Sequence, residues 1–199
     1  MPDNTLKNLE TALQVVFPEE DAGCLARLLD SFKPHDTIYY ESIDLPEEQK
    51  EEYILMAFEE RLLMPNTSGP GGSWQDRMLA VTPGALYIMP RVIKCLVDGA
   101  AKTGRFDPAA AIRDVLAEKE DKAEVKQLID FFFRLMPHAA SHKIEAGLLG
   151  ALNRGPDALP DLHNTVDLFV LVGIMSPCTR GPVNSGLAWF ELNPALFWG

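Results

Sequence analysis

Apolar side chains recur at helical spacing through most of the chain. Leu6, Leu9, Leu13 and Val16 predict a first helix over residues 4–16. The same periodicity predicts further helices over residues 21–32, 46–63, 83–101, 108–119, 122–136, 141–153 and 162–174. Short β-prone stretches predict strands at 37–40, 74–81 and 187–192. We therefore expect a mainly α-helical protein with a few short strands.

Two stretches of the chain, residues 62–87 and 174–197, have similar sequences. Each contains an apolar helix end with Met and Pro, a loop rich in Gly, Pro and Ser, and a short aromatic and apolar segment. Thr82-Pro83 in the first and Asn193-Pro194 in the second are each followed by Ala, Leu and an aromatic residue, after a nearly equal spacing. Such spaced similarity predicts a duplicated structural unit.

The best candidate for a boundary between two units is residues 102–108. Gly104 can end a helix, and Asp107-Pro108 can begin the next one. We therefore expect one unit over residues 1–104 and a second over residues 105–199.

The order of elements resembles that of a winged-helix domain. An amphipathic helix ending in Leu62-Leu63-Met64-Pro65 is followed by a Gly-rich hairpin tip and by Val81-Thr82-Pro83-Gly84, which would lead into another helix. Thr82 would cap that helix, and Pro83 would occupy its first position. The resemblance implies a mainly α fold with short β-hairpins, the wings, in two tandem winged-helix-like units.

In winged-helix regulators the helix before the wing enters the DNA major groove, and here that helix would be residues 46–63. It carries six glutamates against Lys50 and Arg61: Glu47, Glu48, Glu51, Glu52, Glu59 and Glu60. The net charge of the whole chain is −11. Binding to phosphates requires cations that release counterions, so the charge disfavours nucleic acid as a partner.

The acidic tandem arrangement resembles the accessory winged-helix subunits of bacterial condensin complexes, in architecture and charge only. That resemblance implies a non-enzymatic binding module whose target is a partner protein or a second copy of the chain. The alternative is a transcription regulator that contacts DNA through its wings and a dimer surface. The candidate contact residues of the wings, for either partner, are Trp74, Arg77, Arg180 and Trp189.

Catalytic patterns are weak in this sequence. His138, His142 and Glu145 would share one face of an unbroken helix with the spacing of metal ligands, although Pro137 and an ordinary surface location argue against a site. The loop over residues 66–73 is Gly-rich but lacks the Lys-Ser/Thr ending of a phosphate loop. We expect no enzyme activity, no metal and no cofactor.

The cysteine content and the apolar runs bear on location. Three widely spaced cysteines are typical of reduced, buried thiols. The longest apolar runs fall short of the roughly 20 residues that cross a bilayer, and the first ten residues lack the pattern of a signal peptide. We therefore expect a cytoplasmic protein without membrane contact.

Overall fold

Two small sheets lie among the helices of a computed structural model, which describes residues 4–33, 35–66, 73–178 and 188–198. The helices in these ranges are α1 (Asn4–Val16), α2 (Ala22–Asp30), α3 (Glu47–Glu59), α4 (Arg91–Thr103), α5 (Pro108–Leu116), α6 (Lys122–Leu135), α7 (Ala146–Leu152) and α8 (Leu162–Val172). The strands are β1 (Thr37–Tyr39), β2 (Met64–Pro65), β3 (Leu86–Ile88), β4 (Lys143–Glu145), β5 (Met175–Cys178) and β6 (Trp189–Leu192). The expected fold class, mainly α with short hairpins, is confirmed at this level.

Aspartates begin several of the helices. The Asp21 carboxylate accepts hydrogen bonds from the backbone N–H groups of Gly23 and Cys24, and the Asp121 carboxylate accepts from those of Ala123 and Glu124. Asp107 and Asp161 cap α5 and α8, each accepting from one backbone N–H group, that of Ala110 or Asn164. These side chains bind N–H groups that have no partner within the helix, which is why the chain enters a helix at these points.

Both sheets are antiparallel and have the same strand order, β1-β3-β2 in the first and β4-β6-β5 in the second. In the first sheet Ile38 of β1 and Pro65 of β2 both lie opposite Tyr87. In the second, Ile144 of β4 and Pro177 of β5 both lie opposite Phe190. Order and register therefore agree, so the two halves contain the same supersecondary unit, as the repeat predicts.

The register shows that Thr82-Pro83 and Asn193-Pro194, which look alike in sequence, are not equivalent positions in the two sheets. Thr82-Pro83 precedes β3, whereas Asn193-Pro194 follows β6. The position after β3 that corresponds to Asn193 is Pro90, which precedes α4. In the second half this position leads only into a short 3-10 turn, Pro194–Phe197.

The predicted strand at 74–81 and the predicted start of a helix at Pro83 are wrong. Residues Trp74–Asp76 form a 3-10 turn, the following residues pair with no strand within the described chain, and Thr82 to Ala85 form a turn. Gly84 has φ 85° and the N–H of Ala85 donates to the Thr82 carbonyl at 3.0 Å. A turn containing Pro-Gly interrupts the helix pattern, so β3 intervenes and α4 begins only at Arg91.

The predicted helix over 141–153 is wrong in its first part. Ser141 and His142 have φ values of 48° and 61°, and residues 143–145 form β4 against β6. Sheet pairing outweighs the helical spacing of this segment, and α7 begins only at Ala146.

Buried side chains of the two halves form one continuous apolar core. Helix α4 packs on α1 and also on α5, which follows the left-handed Gly104. The Trp198 ring contacts Phe17 at 5.3 Å and Phe106 at 5.1 Å between ring centroids. Each of the expected ranges 1–104 and 105–199 thus contains one sheet, and the two pack against each other.

Candidate interaction surface

Along the chain, helix α3 follows β1 and precedes β2 of the first sheet. Glu47 and Glu48 lie in its first turn, where negative charge interacts favourably with the helix dipole. Its inner side is buried through Tyr53, Ile54 and Ala57. These apolar contacts fix which side of the helix faces the solvent.

The outer side of α3 is a surface of carboxylates around one leucine. The exposed residues follow helical spacing and lie on one face: Glu48, Glu51, Glu52, Leu55 and Glu59. Leu55 is 45% exposed and is the one apolar side chain of this face. We call these five residues the acidic surface.

Lys50 does not neutralise the acidic surface, because it is only 6% exposed. Its ammonium nitrogen Nζ lies 3.2 Å from the Glu47 carboxylate and 3.3 Å from the Tyr40 carbonyl. The Tyr40 hydroxyl donates to the same carboxylate. These two donors, the tyrosine first, lower the pKa of Glu47, and the carboxylate raises the pKa of Tyr40 to about 12.

Helix α8 occupies the corresponding place in the second half. Its sequence has no Lys or Arg, and its exposed residues include His163, Asp167 and Leu171. His163 lies 3.6 Å from the Asp167 carboxylate, and Leu171 is 52% exposed. Neither of the two corresponding helices therefore presents a free cation to the solvent.

The two halves meet in a symmetric manner. Arg61 after α3 and Gly173 after α8 both have left-handed backbones, with φ values of 57° and 82°. The Asn193 side chain donates to the Arg61 carbonyl at 3.2 Å, while Gly173 is so close to Pro90 that an added Cβ would lie 2.5 Å from the proline Cβ. Because Asn193 and Pro90 hold corresponding positions, as do Arg61 and Gly173, each half contacts the other through equivalent positions.

An ion pair joins the halves beside this junction. The Arg61 guanidinium donates to the Glu191 carboxylate at 2.9 Å, and both side chains are largely buried. The other carboxylate oxygen of Glu191 is buried without a hydrogen-bond partner. Arg61 and Glu191 are far apart in the sequence, so no local pattern predicts their ion pair. The packing of the two halves brings them together.

The two candidate tryptophans differ in burial. Trp74 is only 5% exposed, and its backbone N–H donates to the Ser176 hydroxyl at 2.9 Å across the junction. Trp189 is half-buried in β6, opposite Glu145 and Cys178. Trp74 therefore packs in the junction between the halves and, unlike a surface contact residue, is enclosed by the protein itself.

The two candidate arginines have different outcomes. Arg77 is half-buried and donates from its guanidinium to the Pro65 carbonyl at 3.3 Å. Burial lowers the pKa of Arg77, and its Nε is buried without a partner. Arg180 lies outside the described residues.

The histidine and glutamate pattern does not form a metal site in the described parts of the chain. His138 ends a 3-10 turn, His142 lies in the left-handed turn, and Glu145 is in β4, so the three residues do not share a helix face. No group of three or more potential ligands is found among the described residues. In the same residues, no helix has both the length and the apolar character needed to cross a bilayer.

Comparison with known proteins identifies a family but not an activity. Residues 9–198 match one family model, so the chain belongs to that family, and the match carries no description of what its members do. No curated protein and no solved structure shows significant similarity to the chain.

Proposed function

We propose that this protein is a tandem winged-helix binding module that docks onto a basic segment of a partner protein through the acidic surface of α3. The first half has the order α2, β1, α3, β2, β3, and the second has α6, β4, α7, α8, β5, β6. In both, the last strand lies between the other two. This order and pairing support the winged-helix assignment, with α3 and α8 as the helices that precede the wings.

The observation that carries the proposal is the charge of α3. Its outer face presents four carboxylates around Leu55, and its one lysine is buried against Glu47 and Tyr40. A cationic partner would be attracted by this field, and apolar contact with Leu55 would add affinity. A DNA backbone would be repelled by the same charges.

DNA binding through the wings remains the alternative proposal, and it has less support. Of the two candidate arginines, Arg77 is half-buried and already hydrogen-bonded to the backbone. An exposed, flexible cation would suit phosphate contact better.

The direct test reverses charge on the acidic surface. The variant carries Glu48→Lys, Glu51→Lys and Glu52→Lys, and its control carries Glu10→Lys, Glu19→Lys and Glu20→Lys, which change the net charge equally at other exposed positions. We expect a basic partner to co-purify from the native cells with the original protein and the control but not with the α3 variant. Equal recovery with all three proteins would contradict the proposal.

A gel-shift experiment distinguishes the proposed protein-binding function from the DNA-binding alternative. The proposal predicts no stable complex with duplex DNA near physiological salt for the original protein. Tight duplex binding that falls steeply with salt, and that is weakened by Arg77→Ala, would instead favour the regulator.

A further inference from the structure

A cavity of about 190 Å³ lies at the junction between the two halves. An apolar cavity of roughly 150 Å³ holds a benzene ring, so this space is large enough for one ring and a small substituent. Ligand sites are common where two structural units meet. The lining of the junction cavity includes Met64, Trp74 and Arg77 from the first half and Leu171, Gly173 and Met175 from the second.

Most of this lining is apolar. Trp74 is 5% exposed, and Met64, Met89 and Met175 are almost completely buried. Thioether side chains are unbranched and adjust to the shape of a guest, and their sulfur atoms make favourable contacts with aromatic rings. The lining therefore favours a ligand that carries an aromatic group.

Two of the three charged residues that line the cavity already have an ion-pair partner. The Asp36 carboxylate lies 2.7 Å from the Lys94 ammonium group. Arg91 pairs with Glu118. These two pairs balance each other in charge, so the net charge at the cavity depends on the third residue.

That third residue, Arg77, has no counter-charge within the described chain. Its guanidinium donates to the Pro65 carbonyl at 3.3 Å, and its Nε is buried without an acceptor. Burial lowers the pKa of Arg77, and no carboxylate of the described residues offsets this effect. Residues 67–72 and 179–187, which lie outside the described ranges, contain no Asp or Glu. Because a guanidinium stays protonated even when it is partly buried, an anion in the cavity would supply the missing counter-charge.

We infer that the junction cavity binds a small aromatic carboxylic acid. The carboxylate pairs with the guanidinium of Arg77, whose planar donors match two carboxylate oxygens, and the ring packs against Trp74 and the methionines. Since both halves line the cavity, the bound acid stabilises the folded protein. This inference goes beyond the proposed function and does not depend on it, because it concerns a site other than the acidic surface of α3.

The probe is phenylacetate, titrated into the full chain and followed by calorimetry. Phenylacetamide has the same ring without the charge, and acetate has the charge without the ring. We expect phenylacetate to bind one-to-one with a Kd below about 1 mM, and both controls to bind at least about tenfold more weakly.

Methyl NMR signals of the methionines locate the bound acid. Met64, Met89 and Met175 line the cavity, whereas Met56 in α3 and Met136 after α6 are outside its lining. We expect the aromatic ring to shift the first three signals and to leave the other two in place. Saturable shifts at Met56 or Met136 alone would place the acid elsewhere and overturn the inference.

A pair of variants tests the counter-charge. Arg77→Met keeps a long apolar side chain and removes the guanidinium, and Arg113→Met makes the same change at an exposed position of α5. We expect Arg77→Met to bind phenylacetate about tenfold more weakly, no better than phenylacetamide, and Arg113→Met to retain the preference for the acid. A merely structural role of Arg77 would weaken the binding of acid and amide alike.

A second pair leaves Arg77 in place, so it tests the inference even if Arg77→Met fails to fold. Leu171, which lines the cavity, is 52% exposed, and Leu55 on α3 is 45% exposed, so a charge is tolerated at both positions. We expect Leu171→Glu to weaken phenylacetate binding by about fivefold through charge repulsion, and Leu55→Glu to leave it nearly unchanged.

Three further results would overturn the inference. They are the absence of phenylacetate binding at millimolar concentrations, equal binding of phenylacetate and phenylacetamide to the original protein, and equal effects of the two leucine variants. None of them bears on the acidic surface, whose test is the loss of a protein partner after charge reversal in α3.

Discussion

Single residues decide how closely the two halves approach. Gly173 combines a positive φ of 82° with a position directly against Pro90, so two independent constraints exclude a side chain there. Arg61 holds the corresponding left-handed position as a non-glycine residue. Its guanidinium is bound to Glu191 and its carbonyl to Asn193, contacts that hold a conformation otherwise unfavourable for L-residues.

At this scale we predict that Gly173→Ala lowers the free energy of unfolding by about 3 kcal/mol, from backbone strain together with the clash on Pro90. Gly84→Ala, with a similar φ of 85° but open space around it, isolates the strain and should cost about 1 kcal/mol. Gly99→Ala within α4 should be neutral or stabilising by up to about 1 kcal/mol. Urea unfolding of the three variants measures these changes in the free energy of unfolding. Equal losses of stability for Gly173→Ala and Gly84→Ala would contradict a clash with Pro90.

In the individual helices, capping residues determine where a helix begins, and the spacing of the apolar residues determines which face is exposed to solvent. Apolar spacing predicts a helix from residue 122, and the structure shows why α6 starts there, since the Asp121 carboxylate binds two free N–H groups. The acidic surface is equally a property of one element. Given that Tyr53, Ile54 and Ala57 face inwards, helical geometry alone places Glu48, Glu52 and Glu59 outwards.

For this element we predict that Asp121→Ala costs about 1 kcal/mol in the free energy of unfolding, because the N–H groups of Ala123 and Glu124 lose their acceptor. Asp130→Ala, an exposed change within the same helix, removes the same charge and no cap, and should alter stability by less than about 0.5 kcal/mol. Chemical denaturation with an unchanged m-value tests the difference. A loss as large in the control would mean that charge, and not capping, is responsible.

At the scale of the whole molecule, the two repeated units form one body through the junction, where Arg61 and Glu191 make a largely buried ion pair. Each unit contributes a helix without free cations, and the stretch of chain between the last two strands is longer in the first unit than in the second. The two units are therefore alike in topology and different in the surfaces they offer.

We predict that Glu191→Gln lowers the free energy of unfolding by about 2 kcal/mol, because the Arg61 charge stays largely buried without its counter-charge. Glu118→Gln removes a comparable pair with Arg91 at a half-exposed site and should cost less than about 1 kcal/mol. Thermal and urea unfolding at neutral pH compare the two. Equal, small effects would indicate that the junction is held by apolar packing alone.

The sequence by itself determined most of the helices, the duplication and the acid content of α3, because each depends on spacing within one segment. Tertiary structure alone decided the positions of β3 and β4, which have three residues each and gain their stability from partners distant in the chain. It also decided the burial of Lys50 and Trp74, since each is enclosed by groups from other segments: the Tyr40 carbonyl for the lysine and Ser176 for the tryptophan. Local periodicity fixes which face of a helix is apolar, but only the packing of the folded chain fixes what that face meets.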